Sequence, residues 1–238
     1  MSRNLPCLPR SVEPTRESLA ELGRAALRYV KSGQSVGLGS GRAAEAFIRA
    51  LAEVGLNVRG VPTSSASAEL ARSQKIQLVS LDEVGRLDAD FDGADEVDPQ
   101  LNMVKGRGGA LVREKVVAAA SRRRIFLVWD EKLVQRLGQH GNLPIEVLPF
   151  AAPVVLRELS KMGLKPKMRP NDEGGQFISD NGNLIIDCRV TAIRSPSRLD
   201  RTLQSIPGVV GTGLFLGIAD LVLVLSPKGK ITTLRRSR

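Results

Sequence analysis

Four carboxylates, Asp92, Asp95, Glu96 and Asp98, fall within the segment "FDGADEVD" (91–98) of a 238-residue chain whose formal charge is +10. Carboxylates crowded in this way repel one another, which raises the proton affinity of at least one of them unless cations intervene. An EF-hand does not fit, because counting from Asp92 puts Ala94 where the second ligand belongs and Val97 where the loop needs glycine. A magnesium site stays open, although no histidine or third carboxylate-bearing loop completes it. The segment "KGRGGALVREKVV" (105–117) supplies cations instead: Lys105 and Arg107 precede a glycine-rich helix start, and Glu114 lies about one turn into the helix. A carboxylate, a lysine and backbone donors in one crevice suit enolisation. The carboxylate removes a proton beside a carbonyl, and the ammonium steadies the negative charge that develops on oxygen.

A third stretch, Gly37-Leu38-Gly39-Ser40-Gly41-Arg42, resembles a dinucleotide fingerprint but has Arg42 where Gly-x-Gly-x-x-Gly requires glycine, and it lacks the Walker lysine. What survives is a glycine-rich strand-to-helix turn whose N–H groups, on a positive helix end, can hold a single phosphate or a carboxylate. Each stretch alone also has a plainer reading: a tight turn for the glycines, a solvated loop for the acids, an ordinary surface pair for Glu114. Nucleophilic triads need an activating base, and the only histidine, His140, sits in the loop "LGQHGNLP". It reads as an exposed loop residue, which argues against covalent serine or cysteine catalysis. The two cysteines, Cys7 and Cys188, are too few for a disulfide framework and read as free buried thiols of a reducing compartment.

The elements that must position these groups follow from periodicity. Leu19, Leu22, Ala26, Tyr29 and Val30 recur at helical spacing after Pro14 and Thr15. "SVGLGSG" (35–41) reads as a strand entering the glycine turn, and 43–54 as the following helix. Short apolar strands at 57–63, 76–81, 89–94 and 124–130 alternate with helical segments near 65–73 and 110–122. That alternation predicts a parallel sheet covered by helices on both faces. After about residue 137 the pattern changes to "PIEVLP", a helix near 152–162, a hairpin whose tight turn is Asn181-Gly182, and a helix near 198–206. The apolar run Val209 to Leu225 approaches membrane-spanning length, but Asp220 and four glycines interrupt it and two buried strands fit better. The expected organisation is α/β: a doubly wound domain from 1–137 plus 211–238, with a smaller α+β domain, 138–210, inserted.

Composition limits the partners. The 35 Lys+Arg against 25 Asp+Glu, and a pI near 10.2, could serve nucleic acid, a membrane surface or small anions. Aromatic residues at 3% argue against base-stacking platforms, and no zinc-finger or RNP-type pattern is present. The run Ser121-Arg122-Arg123-Arg124 and the tail "LRRSR" read as solvated ends. "MSRNLPCLPRSVEPTRE" has no apolar core of a signal peptide and contains prolines and acids, so it reads as a loose tail, with a cytoplasmic enzyme as the expectation.

These segments, in this order, resemble the A-type ribose-5-phosphate isomerases. The counterparts of that family's motifs are "GLGSGRAA", "VPTSSAS", "DGADEVD", "KGRGGALVREK" and "DEKL", with further agreement in "LPIEVLP", "DNGNLIID" and "PGVVGTGLF". The likeness covers roughly residues 14–228, and its motifs are specific jointly rather than singly. It implies a Rossmann-like catalytic domain with an inserted ferredoxin-like domain. It also implies interconversion of ribose 5-phosphate and ribulose 5-phosphate without metal or organic cofactor, no nucleic-acid or membrane partner, and a homodimer or homotetramer. By position, Glu114 corresponds to the base that carries a proton between C1 and C2, and Lys105 to the stabiliser of the oxyanion. Asp92 would assist ring opening, and Asp95 would orient Lys105 and bind hydroxyls. Substrate binding would fall on Gly39, Ser40, Gly41, Arg42, Ala43, Gly93, Ala94, Gly106, Arg107, Gly108 and Lys132, the last approaching the phosphate.

Two departures stand out. Arg42-Ala43 replaces the Ser-Thr expected after Gly41, so two hydroxyl donors are missing, and Leu19 stands where the family commonly has lysine. Arg42 could compensate, since guanidinium grips an anion with two donors. Other classes remain as alternatives. A non-catalytic sugar-phosphate sensor on the same fold would carry a helix-turn-helix segment, for which the chain has no room, and could dispense with the base. An isomerase of another sugar phosphate fits as well. A nucleic-acid binder rests on the pI alone.

Overall fold

The computed structural model describes residues 13–236, so Cys7 and most of the expected N-terminal tail lie outside the described residues. The chain opens with α1 (Arg16–Ala26), capped by Thr15, whose hydroxyl accepts from the Ser18 N–H, and a 3-10 turn over Leu27–Tyr29. Leu19, Leu22 and Ala26 form its buried stripe, as their spacing predicts. There follow β1 (Ser35–Leu38), α2 (Arg42–Glu53), β2 (Arg59–Pro62), α3 (Ser65–Ser73), β3 (Gln77–Leu78), α4 (Leu81–Val84), β4 (Ala89–Gly93), β5 (Glu96–Val97), β6 (Met103–Val104), α5 (Leu111–Ala119) and β7 (Arg124–Trp129). The next stretch holds β8 (Asn142–Val147), α6 (Ala152–Lys161), β9 (Lys165–Met168), β10 (Leu184–Arg189), α7 (Pro196–Gln204) and β11 (Val209–Thr212). The chain closes with β12 (Leu214–Phe215), β13 (Leu221–Leu225) and β14 (Ile231–Arg235).

A seven-stranded sheet in the order β14-β13-β7-β4-β1-β2-β3 forms the centre, parallel except for β14. Strands β1 and β13 are buried along their whole length and β4 and β7 along most of it, which is why they read as largely apolar runs. Helices α1 and α2 cover one face over Leu22, Phe47 and Ile48, where Phe47 stacks on Phe91 with ring centroids 4.0 Å apart. The strand order reverses between β1 and β4, and in open α/β sheets the crevice at such a reversal, beyond the carboxyl ends of the strands, is where ligands bind.

Residues 142–212 build a second, antiparallel sheet in the order β11-β8-β10-β9. The sequence of elements, β-α-β-β-α-β with helices α6 and α7 over one core, is ferredoxin-like. A small sheet, β12-β6-β5, lies between the two. The expected doubly wound α/β architecture is present. The apolar run from Val209 differs from expectation: it makes three strands in three sheets, not two. Gly213 is the crossing point, donating to Pro144 O (2.7 Å) and accepting from the Lys105 N–H (2.9 Å), and a Cβ there would strike Pro144. Among the described residues no helix is long and apolar enough to cross a membrane. Cys188 is free and buried, and burial pushes its thiol up to about 12.

Candidate active site

The site forms where the turns after β1 and β4 face each other. Asp90 and Asp92 alternate with Phe91 along β4, so both carboxylates leave the same face of the sheet. Each lies over a glycine of β1 or its turn: a Cβ on Gly37 would collide with the Asp90 carboxylate, and one on Gly39 with that of Asp92. The Gly37-x-Gly39 spacing that looks like part of a nucleotide fingerprint thus makes room for two aspartates. Asp92 Oδ1 accepts from the N–H groups of Ser40 (3.0 Å) and Gly93 (2.7 Å), which fixes the side chain and ties the two turns together.

Lys105 leaves β6 and runs under the β4 turn. Its Nζ lies 3.0 Å from Asp92 Oδ2 and 3.3 Å from Glu114 Oε2, and it donates to Gly93 O at 2.6 Å. The rings of Phe126 and Phe215 stand 5.8 and 5.5 Å from the ammonium. All three charged side chains are at least 95% buried. Burial works against the Lys105 charge, but Asp92 and Glu114 outweigh it and hold the ammonium well above the usual lysine range. For Glu114 burial dominates the other way: its proton affinity is pushed up to about 8, with Asp92 adding to the rise and Lys105 opposing it. Glu114 reaches this point because α5 begins at Leu111, placing it in the first turn on the buried side of the helix with Val117.

These groups close one end of a cavity of about 270 Å³ lined by Ser40, Gly41, Arg42, Ala43, Gly93, Ala94, Asp95, Lys105, Gly106, Arg107, Gly108, Glu114 and Lys132, together with Glu13, Leu127 and Trp129. The residues singled out in the sequence are therefore brought together, with two exceptions. Gly39 and Asp92 lie behind the wall, fully buried, and reach the cavity only through Ser40 and Lys105. Ordinary ion-pair contacts to Lys105 come from Asp92 and Glu114, whereas the half-buried Asp95 accepts from the Arg107 N–H at 3.0 Å. Of the two aspartates, it is Asp92 that contacts Lys105. Leu19 is buried in the core and brings no charge to the site.

The acidic cluster divides its labour. Glu96 is buried and accepts from the N–H groups of Gly138 and His140, holding the 138–141 loop, and Asp98 accepts from Gln100 N, Asn102 N and the Asn102 amide in a local turn. Of the four, Asp95 lines the cavity and Asp92 stands behind its wall against Lys105. His140 is exposed, as its loop position predicts, with Nδ1 3.2 Å from Asp95 O.

Other residues support the site without being singled out by the sequence as site residues, although Thr63, Ser64 and Asp187 lie in the segments "VPTSSAS" and "DNGNLIID" that resemble family motifs. Arg169 of the second sheet donates to Gly106 O (3.1 Å) and Arg107 O (2.9 Å) while Asp187 grips its guanidinium through two bonds, so the inserted sheet fixes the loop behind Lys105. The Ser40 hydroxyl bonds those of Thr63 (2.8 Å) and Ser64 (2.7 Å), which locks the first turn to the start of α3. Trp129 and Glu13, more than a hundred residues apart in the chain, also line the cavity. Asp90 is fully buried, and neither of its carboxylate oxygens has a hydrogen-bond partner among the described residues. Burial, reinforced by Asp92, pushes its proton affinity well above that of an ordinary aspartate.

Comparison with known proteins agrees with this architecture. Residues 59–229 match the family model described as ribose 5-phosphate isomerase A (phosphoriboisomerase A). The chain is 47% identical over 228 residues to ribose-5-phosphate isomerase A of Thermomicrobium roseum, covering 94% of this chain and 96% of the relative. Against the protein of that name from Roseiflexus sp. (strain RS-1) the identity is 44% over 209 residues, covering 86% and 90%. Among solved structures, ribose 5-phosphate isomerase A from Methanocaldococcus jannaschii superposes with a TM-score of 0.87 at 40% identity, covering 93% of this chain and all of that one. A D-ribose-5-phosphate isomerase in complex with phospho-erythronic acid does so at 0.89 and 38%, covering 94% and 100%. Profile, relatives and backbone agree over nearly the whole length, and the chain belongs to the ribose 5-phosphate isomerase A family.

Proposed function

We propose that the protein interconverts D-ribose 5-phosphate and D-ribulose 5-phosphate by proton transfer through an enediolate. The observation that carries this reading is the contact between Lys105 Nζ and Glu114 Oε2, 3.3 Å, at the closed end of the cavity. A carboxylate with raised proton affinity sits beside a permanently charged ammonium, so a sugar whose C1–C2 unit enters there meets a base for its acidic C–H and a cation for the neighbouring oxygen. Glu114 takes the proton from C2 of the aldose and returns it to C1, Lys105 stabilises the oxyanion in between, and the hydroxyl proton of O2 passes to O1, which leaves the carbonyl at C2. Asp92 has no surface on the cavity, and we assign it the task of fixing and charging Lys105. Asp95, half-buried on the wall, binds hydroxyls and assists ring opening. The turn Gly39–Ala43 with Lys132 receives the phosphate. A related isomerase binds phospho-erythronic acid; the planar carboxylate of such a phosphorylated aldonic acid has the shape and charge of an enediolate, which supports the same placement here.

The chemistry assigned to these side chains needs no metal or organic cofactor. We assign the chemistry to residues 1–137 with 211–238, and to the inserted 138–210 the support of the loop at Gly106 and Arg107. A cytoplasmic homodimer or homotetramer is part of the same proposal. Incubation with ribose 5-phosphate and EDTA in D₂O tests it: ketose should form and carry deuterium at C1. Ketose free of any deuterium would mean hydride transfer, and would remove the role given to Glu114.

A further inference from the structure

Arg42 begins α2 directly after Gly41, and no side chain caps that helix end, so its guanidinium and the positive end of the helix face the same mouth of the cavity. In the free protein this guanidinium is already engaged. Nη1 donates to Glu13 Oε2 at 2.9 Å, and Nη2 donates to Pro14 O at 3.0 Å. It also lies 5.6 Å from the centroid of the Trp129 ring, against which Lys132 Nζ rests at 4.6 Å. Two cations are thus fixed against one indole, within the distance at which a ring face attracts them, and Glu13 is the acid that shares this mouth with them.

We propose that Glu13 sets the affinity for the phosphate of the substrate, its carboxylate holding Arg42 in the free protein in the place that phosphate takes on binding. Carboxylate and phosphate oxygens offer the same acceptor geometry to a guanidinium fork, so the two compete for Arg42. A phosphate dianion beside the Glu13 carboxylate is also repelled by it, and the acid must leave as the phosphate enters. The pair is open to solvent, with side chains 46% and 74% exposed. Exposed ion pairs of this kind are weak, so their effect on affinity is about two- to five-fold, and salt diminishes it. The more highly charged phosphate therefore displaces Glu13 readily.

The inference rests on the phosphate end assigned above. Trp129 is the only tryptophan of the chain and touches both cations, so its fluorescence reads inorganic phosphate binding without turnover. Wild type, Glu13→Gln, Arg42→Ala and the double variant are compared for phosphate Kd and for kcat and KM with ribose 5-phosphate. Glu13→Gln removes the charge and keeps the shape. It is expected to lower Kd and KM about two- to five-fold at low salt, less at high salt, with kcat moving less than KM. Arg42→Ala is expected to raise both constants, and on that background Glu13→Gln should lower them by less than it does in wild type, since only the direct repulsion of phosphate by Glu13 remains. If Arg42→Ala weakens phosphate but Glu13→Gln leaves it unchanged or weakens it too, Glu13 does not compete and the inference fails while the phosphate end stands. If Arg42→Ala alters neither constant, the phosphate does not meet Arg42, and both fall.

Discussion

Lys105 Nζ lies 3.3 Å from Glu114 Oε2 in a pocket where both side chains are at least 95% buried. Lys105 is the strongest charge acting on Glu114, while Lys105 itself feels Asp92 first and Glu114 second. Burial and Asp92 push the Glu114 proton affinity to about 8 while Lys105 opposes them, so the working charge state depends on pH.

The base acts only when ionised, so kcat/KM should rise about tenfold per pH unit below pH 8 and level off above it. Because Asp92 contributes to the rise, Asp92→Asn should move this limb to lower pH, whatever it does to the plateau. A pH profile of kcat/KM for the two proteins reads the shift; a limb that stays in place would mean that another group titrates.

Glu114→Gln keeps the shape and removes the base. We expect kcat to fall on the order of 10²- to 10⁴-fold, while the affinity for ribose 5-phosphate changes far less. Equal losses in both would show that Glu114 holds the sugar and does not move its proton.

Lys105→Met should lower kcat on the order of 10²- to 10³-fold, as loss of an oxyanion donor does. Lys105 is also the group that holds the Glu114 proton affinity down. In wild type the folded protein already keeps that proton to about pH 8, and without Lys105 it keeps it to higher pH still. Both proteins then lose stability alike from the ordinary glutamate range near 4.3 up to about pH 8, where wild type levels off and the variant does not, so the Tm deficit relative to wild type should stay level between pH 5 and pH 8 and widen above it.

Asp90 is a fully buried carboxyl whose oxygens have no hydrogen-bond partner among the described residues. Its folded-state proton affinity is raised by burial and by Asp92, so the folded protein binds a proton that the unfolded chain has released. That difference removes up to ~1.4 kcal/mol of stability for each pH unit above about 4 until the folded group ionises. Asp90→Asn should therefore gain stability over wild type progressively from pH 5 to pH 7, as seen by chemical denaturation. A difference that stays constant with pH would mean that Asp90 is ionised in the folded protein.

What the sequence determined on its own was whatever depends on local pattern. Largely apolar runs fixed the parallel strands, a 3.6-residue stripe through Leu19, Leu22 and Ala26 fixed α1, and Asn181-Gly182 marked the turn before β10. The carboxylates and lysine of the crevice were legible because strand ends and glycine turns are where an open parallel sheet exposes chemistry. Tertiary structure alone decided which of them meet. Nothing local separates Glu96 and Asp98, spent on a loop and a turn, from Asp92 and Asp95. Nothing local shows that Asp92, not Asp95, pairs with Lys105, or that Gly37 and Gly39 are small for the sake of two aspartates. Glu13 and Trp129 lie more than a hundred residues apart, and Arg169 reaches Gly106 from another sheet. Such contacts arise from the register and stacking of whole elements, and a contact between distant residues leaves no periodicity in the chain that makes it.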